Sequence, residues 1–353
     1  MIICRTPFRI SFFGGGTDYP AWHRKHGGAV LAAGIDKYCY LTCRYLPPFF
    51  EHRLRIVYRK IETCQSVDEI SHPAVRETLK HLGFERGLEL HHDGDLPARS
   101  GMGSSSAFTV GLLHSLYALG GQMPAKMHLA QESIHVEQNL LHETVGSQDQ
   151  VMAAFGGLRH VNFGKDGTIA VDPLILSGER VRALQSHLLL FYTGIARTAS
   201  DVAQSFITRL EDCKKKLHIM RELVDESIDV LASGTDICAF GDLLHEAWQI
   251  KRTFSPRVSN REIDDLYRRA RSAGALGGKL TGAGGGGFLL LFVPPPKQPA
   301  VLQALDHLIH VPFAFESAGS QIIFYEPGVD YQDVEQARKQ RPVRAFKELA
   351  MVS

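Results

Sequence analysis

The sequence predicts an α+β protein of two halves, and three observations predict it. The first half reads mostly as strands with two helices, and the second mostly as helices with strands at its end. Runs of this kind favour α+β layers over a strictly alternating parallel sheet. Three glycine-rich stretches, at residues 14–16, 101–103 and 282–287, sit at the edges of predicted strands or helices, where close turns are needed. Finally, 353 residues at 44% hydrophobic and 22% charged suit a soluble globular chain of two modest domains or one large one. The boundary is expected near Leu176–Leu184, giving domains 1–180 and 181–353.

Each element follows from local pattern. Cys4 to Phe13 alternates and is rich in Ile and Phe, so it reads as a strand broken by Gly14-Gly15-Gly16-Thr17-Asp18. Ala29 to Ile35 and Tyr38 to Tyr45 read as strands with a turn at Asp36-Lys37, and Arg53 to Arg59 as another. Ser71 to Leu82 fits a helix, with Pro73 in its first turn and Gly83 as its stop. Gly87 to His92 alternates again. Helices are expected from Ser104 to Gly120 and from Ala125 to Leu141, then a strand at Leu158 to Phe163. The second half predicts a strand at His187 to Tyr192, a long helix at Ala199 to Ala232, and helices at Phe240 to Thr253 and Asn260 to Ala273. A buried strand at Phe288 to Val293, a helix at Gln298 to His310, and strands near Val311 to Phe315 and Gln321 to Tyr325 complete it.

Composition excludes several classes. A net charge of +1 gives no electrostatic case for nucleic acid or an anionic membrane. Apolar runs such as Phe288–Val293 are too short to span a bilayer, and Met1 to Arg5 does not read as a secretory signal. The six cysteines form no C-x-x-C pair, so reduced thiols in a cytoplasmic protein are expected. The histidines show no zinc-ligand spacing.

The stretch Asp95 to Phe108 carries the chemistry. Gly101 and Gly103 allow a tight turn, Ser104, Ser105 and Ser106 start a helix, and Ala107, Val110, Leu113 and Leu116 repeat at helical spacing. Loose N–H groups and hydroxyls at a helix's positive end suit a phosphate, although the same pattern also serves an ordinary helix start. A Walker A loop fails, because Ala273 and Leu280 stand at its key positions around Gly278-Lys279. The G-x-G-x-x-G spacing at Gly282, Gly284 and Gly287 precedes a strand rather than a helix, so a dinucleotide fold is rejected. Phosphoryl transfer needs a phosphate cradle, a hard cation and a proton acceptor. The serine hydroxyls and Glu137 suit magnesium, and Asp149, on a short loop between two helices, suits the proton.

Three motifs in order resemble the GHMP kinase superfamily: Arg5 to Asp18, Pro97 to Ala107 (with Met102 at the usual Leu position), and Lys279 to Gly287. The resemblance implies a two-domain α+β fold, with an N-terminal half like ribosomal protein S5 domain 2 and a ferredoxin-like C-terminal half. It places Gly101, Met102, Gly103, Ser104, Ser105, Ser106, Gly284 and Gly285 on the ATP phosphates, and Ser105 or Ser104 with Glu137 on Mg2+. It makes Asp149 the catalytic aspartate and Arg9 the cation that poises it. Gly14, Gly15, Gly16, Thr17 and Asp18 are placed against the substrate. Glycines where galactokinases carry Glu and His weaken galactose as substrate. Residues 12–18, 193–197 and 245–252 resemble the D-glycero-D-manno-heptose 7-phosphate kinases, with Arg197, Lys251 and Arg252 as candidates for the substrate phosphate. The expected ligands are therefore ATP, Mg2+ and a sugar phosphate, with no nucleic acid or membrane, in a homodimer. The alternatives are a kinase of an unphosphorylated sugar, such as fucose or another hexose, and a non-catalytic sensor of sugar and ATP.

Overall fold

The computed structural model describes residues 1–98, 100–195 and 199–326, with isolated positions between 328 and 337. In chain order the first half runs β1 (Ile2–Phe13), α1 (Pro20–His26), β2 (Gly28–Tyr45), β3 (Leu54–Val57), β4 (Ile61–Cys64), α2 (Pro73–His81) and β5 (Leu88–Gly94). It continues with α3 (Ser104–Leu119), α4 (Lys126–His135), a π turn (Val136–Leu140), α5 (Gln148–Phe155), β6 (Leu158–Phe163) and β7 (Ile169–Pro173). Helix α6 (Gly178–Ser186) leads into β8 (Leu188–Tyr192), α7 (Ala199–Ile207), α8 (Lys214–Ala232), α9 (Cys238–Lys251) and α10 (Arg261–Ala273). Then follow β9 (Gly277–Leu280), β10 (Phe288–Phe292), α11 (Gln298–Ala304), β11 (Ile309–His310) and β12 (Gln321–Tyr325).

Two sheets organise the chain, in the α+β arrangement expected. The larger has the order β12-β1-β2-β5-β3-β4, with β6 and β7 joined to the start of β2. The smaller, β11-β8-β10-β9, is antiparallel throughout. Strand β12 pairs with β1, so the chain returns to its first sheet. Helix α3 is buried on nearly every side, which explains an apolar pattern wider than one stripe. Gly111 lets it approach β1, since a Cβ there would lie 2.9 Å from Thr6 Oγ1. The start of α3 is thus held against the strand that carries Arg9.

Several elements differ from the pattern-based expectation. Asp36 and Lys37 do not turn the chain. They bulge from an unbroken β2, and Asp36 exchanges hydrogen bonds with Ala314 across the sheet. The long helix expected from 199 to 232 is divided at residues 208–213. Helix α11 is shorter than expected and ends at Ala304. Gly277–Leu280, for which no strand was expected, is strand β9, because Gly277 has no Cβ to collide with Gly241 O of α9.

The halves meet through aromatic rings. Phe240 of α9 packs edge-on against Phe12 and Phe13 of β1, at centroid distances of 5.5 and 5.1 Å. Phe240→Ala is expected to cost about 3–5 kcal/mol, read as a lowered urea midpoint. A loss under about 1 kcal/mol would show that these rings do not hold the halves together.

Candidate active site

A cavity of about 340 Å³ opens between the two halves. Its phosphate side is built from glycine. Gly101 and Gly103 adopt φ of +79° and +76°, a region that disfavours side chains. A Cβ at Gly101 would come 2.8 Å from Thr281 O, and one at Gly287 2.1 Å from Ser100 O. The second and third glycine motifs therefore lie back to back. Gly103 is the N-cap of α3 and offers no side chain to its first-turn amides. Those amides and Ser104 to Ser106 border the cavity.

Arg9 extends from β1 into this corner. Its Nε and Nη2 donate to Asp149 Oδ1 and Oδ2, each at 2.8 Å, and Nη1 donates to Gly101 O at 2.8 Å. The backbone N–H of Arg9 donates to Met102 O at 3.0 Å. Asp149 lies in the first turn of α5 rather than on a loop, at the end of the helix that favours negative charge. Each of its oxygens accepts from Arg9 and keeps a lone pair.

The other end of β1 feeds the Gly14–Asp18 loop. Asp18 is buried and accepts from Gly16 N at 3.0 Å and from Gln148 Nε2 at 2.9 Å. Burial, with Asp149 adding a like charge, pushes its carboxyl above the ordinary range. Gly146 permits this closure, since a Cβ there would fall 1.8 Å from Asp18 Oδ2. Thr17 corrects an expectation. Its hydroxyl is fully buried and bonded to Gly14 O, Ala29 O and Ala29 N, so it locks the loop and does not face a substrate. Gly14 likewise packs against Ala29 O, whereas Gly15, Gly16 and Asp18 line the cavity.

Glu137 sits in the π turn and is fully buried. Its Oε2 accepts from Ser106 Oγ at 2.9 Å and Gln150 Nε2 at 2.6 Å. Its Oε1 has no hydrogen-bond partner among the described residues. The serine beside Glu137 is therefore Ser106, while Ser105 is exposed, which corrects the expected Ser105–Glu137 pair. A buried carboxylate with one oxygen unsatisfied, next to a hydroxyl at the phosphate loop, fits a hard divalent cation. Burial pushes the Glu137 carboxyl up to about 8.

The remaining expected residues separate clearly. Lys251 of α9 is buried in the cavity wall and donates to Gly282 O. Burial, reinforced by Arg9, lowers its ammonium to about 8. Arg252 is turned away into an ion pair with Asp264, so it does not reach the cavity. Arg197 lies outside the described residues. Met102 is buried in the core, and the Gly285 N–H is spent on Val258 O at 2.8 Å. The Gly285 N–H therefore cannot bind a phosphate as expected, Met102 keeps its side chain out of the cavity, and Gly284 packs against Val258 outside the cavity lining, which Gly282 and Ala283 form instead. Several lining residues were not anticipated, Lys279, Ser11 and Gln148 among them. Lys279 of β9 donates to Phe12 O at 2.8 Å, where the β1–β2 register skips Phe12. Burial, with Lys251 and Arg9 nearby, holds its ammonium well below the ordinary range. Ser11 lies two residues along β1 from Arg9. Strand alternation from Arg9 was the signal for it.

A glycine-built corner, a buried carboxylate fit for a hard cation and a bidentate Arg–Asp pair are the parts that phosphoryl transfer calls for. Residues 69–157 match the GHMP kinases N terminal domain, and residues 226–309 the GHMP kinases C terminal domain. The chain carries both domains and belongs to the GHMP kinase family. It is 29% identical over 316 residues to D-glycero-alpha-D-manno-heptose 7-phosphate kinase of Campylobacter jejuni, covering 85% of this chain and 92% of that protein. It is 25% identical over 305 residues to the bifunctional fucokinase/GDP-fucose pyrophosphorylase of Arabidopsis thaliana, covering 79% of this chain and 28% of that protein. A D-glycero-D-manno-heptose 1-phosphate kinase from Bacteroides thetaiotaomicron shares the fold, with a TM-score of 0.75 at 22% identity, over 91% of this chain and 98% of that one. No helix among the described residues is long and apolar enough to cross a membrane.

The Glu137 environment gives a pH signature. The folded protein keeps this proton up to about 8, whereas the unfolded chain releases it near 4.5. Between these values the native state binds more protons, so the group's contribution to stability falls as pH rises. Without divalent cations, Glu137→Gln should match the wild type near pH 5 and gain on it by up to about 1.4 kcal/mol per pH unit towards pH 8. Thermal melts across that range check this; parallel curves would place the Glu137 carboxylate in an ordinary environment.

Proposed function

We propose that the protein transfers the γ-phosphoryl group of ATP to the anomeric hydroxyl of D-glycero-D-manno-heptose 7-phosphate, giving the 1,7-bisphosphate. The observation that carries a sugar 1-kinase reading is the bidentate Arg9–Asp149 pair at the junction of the phosphate loop and the Asp18 pocket. The heptose 7-phosphate kinase relative, matched along nearly its whole length, supports the choice of sugar.

The residues divide the work. Asp149 accepts the proton as the sugar oxygen bonds to the γ-phosphorus and the bond from that phosphorus to the β–γ bridging oxygen breaks. Arg9 fixes the orientation of the carboxylate and, with Lys251, balances the charge of the transferring group. The amides at the start of α3 bind phosphate oxygens. Glu137 and Ser106 would hold Mg2+, which when bound supplies charge neutralisation to the phosphates. Asp18, kept in place by Gln148, orients the sugar.

One observation favours a second reading, an unphosphorylated sugar such as fucose. The cations that line the cavity among the described residues, Arg9, Lys251 and Lys279, lie within electrostatic reach of one another rather than at two separate ends. ADP release measured with heptose 7-phosphate and with free sugars separates the two readings: preference for the phosphorylated heptose is expected, and preference for a free sugar would replace it. Asp149→Asn should lower kcat by at least about 10²-fold with ATP affinity retained. Unchanged turnover would remove Asp149 from the mechanism.

A further inference from the structure

The cavity has walls of opposite hydrogen-bonding character. Arg9, Lys251 and Lys279 present donors, and so do the amides of the α3 start. Facing the Asp18 pocket the polar atoms are acceptors. Gln148 turns its Nε2 into Asp18 Oδ2 at 2.9 Å, which leaves its Oε1 buried with no partner among the described residues. Ser11 Oγ is in the same condition. Both residues line the cavity, at 4% exposure for Ser11 and 9% for Gln148. Burying a polar atom without a hydrogen bond costs free energy, so two such atoms on one wall imply a ligand that satisfies them.

Their positions say which part of the ligand. The β1–β2 ladder is regular from Arg9 through Ser11, so both side chains share one face of the strand. Ser11 therefore lies about 7 Å beyond Arg9, away from the phosphate loop and towards the Gly14–Asp18 loop. Gln148 precedes Asp149, the proton acceptor, in the first turn of α5. A phosphate offers only acceptors and could pair with the Ser11 hydroxyl but not with Gln148 Oε1 or the Asp18 carboxylate, whereas a sugar hydroxyl can donate to Oε1 and both give to and take from Oγ.

We propose that Ser11 Oγ and Gln148 Oε1 are specificity-determining contacts that read two hydroxyl groups of the acceptor beside the one that is phosphorylated. The ligand class is a polyhydroxy compound with neighbouring hydroxyls, bound with its anionic or reacting end towards Arg9 and Lys251. The proposal rests on the sugar-kinase reading above.

The test is steady-state kinetics of the full-length wild type, Ser11→Ala, Ser11→Thr and Gln148→Leu, with heptose 7-phosphate, free hexoses and a series of their deoxy analogues. Ser11→Ala should raise KM for the best sugar about tenfold and leave KM for ATP within about twofold. It should not lower the thermal midpoint of the ligand-free protein, because it removes an unsatisfied buried hydroxyl rather than a bond. One deoxy analogue should bind wild type and Ser11→Ala alike, and Ser11→Thr should restore part of the discrimination. Gln148→Leu should lose discrimination at a different hydroxyl. An unchanged sugar KM in Ser11→Ala, or sugar and ATP KM values that rise together with a lower midpoint, would overturn the proposal while leaving the kinase reading intact. If the wild type phosphorylates no sugar, the kinase reading itself fails and takes this assignment with it.

Discussion

The site depends on compensating one buried guanidinium. Arg9 projects from β1, which lies between β12 and β2 in the larger sheet, and its side chain is buried. Three of its five donors go to the two oxygens of Asp149 and to the Gly101 carbonyl. One side chain thereby ties β1, the first turn of α5 and the phosphate loop together. Each of these must then be in place for the others. Gly103 makes room for the guanidinium, Gly101 and Gly282 allow the two glycine motifs to touch, and α3 is anchored by the core along its length. The geometry at the reacting corner is thus set by packing well outside it.

A second constraint comes from the buried lysines. Lys251 and Lys279 each donate to a backbone carbonyl, Gly282 O and Phe12 O, and burial weakens their hold on a proton, helped by Arg9 beside both and by Lys251 beside Lys279. An arriving phosphate offsets that repulsion, so the anion and the lysine protons stabilise one another. The opposite wall, with Asp18, Gln148 and Ser11, presents acceptors. A ligand with one anionic end and several hydroxyls matches both walls.

The sequence made the glycine motifs legible because their backbone conformations admit little else. Gly101 and Gly103 are written as glycine for the same reason that they build the cradle. Arg9, Asp149, Asp18 and Lys251 were legible through the family motifs, and all four reach the cavity. The rest was hidden in phase and in tertiary packing. Three consecutive serines carry no information about which one turns inward, and the rotation of α3 on the sheet selects Ser106 over Ser105. Thr17 and Asp18 alternate along a loop, and only the contact with Ala29 decides that the threonine is structural. Arg252 follows Lys251 as the C-cap of α9, but neighbouring residues at a helix end face different directions, and Asp264 captures it. Glu137 was visible as a carboxylate. Its complete burial was not, because the π turn that carries it looks like continuous helix in the sequence. Lys279 was hidden because its glycine-rich surroundings read as loop when they form β9.

The central claim is that Arg9 and Asp149 act as one catalytic unit rather than as two independent contributors. A double-variant cycle with Arg9→Gln, Asp149→Asn and both together, followed by single-turnover phosphoryl transfer at saturating ATP and sugar, tests it most directly. Groups that act as a unit lose little more when the second is removed. The double variant should therefore be within about tenfold of the slower single variant. Rate losses that multiply across the cycle would contradict the account.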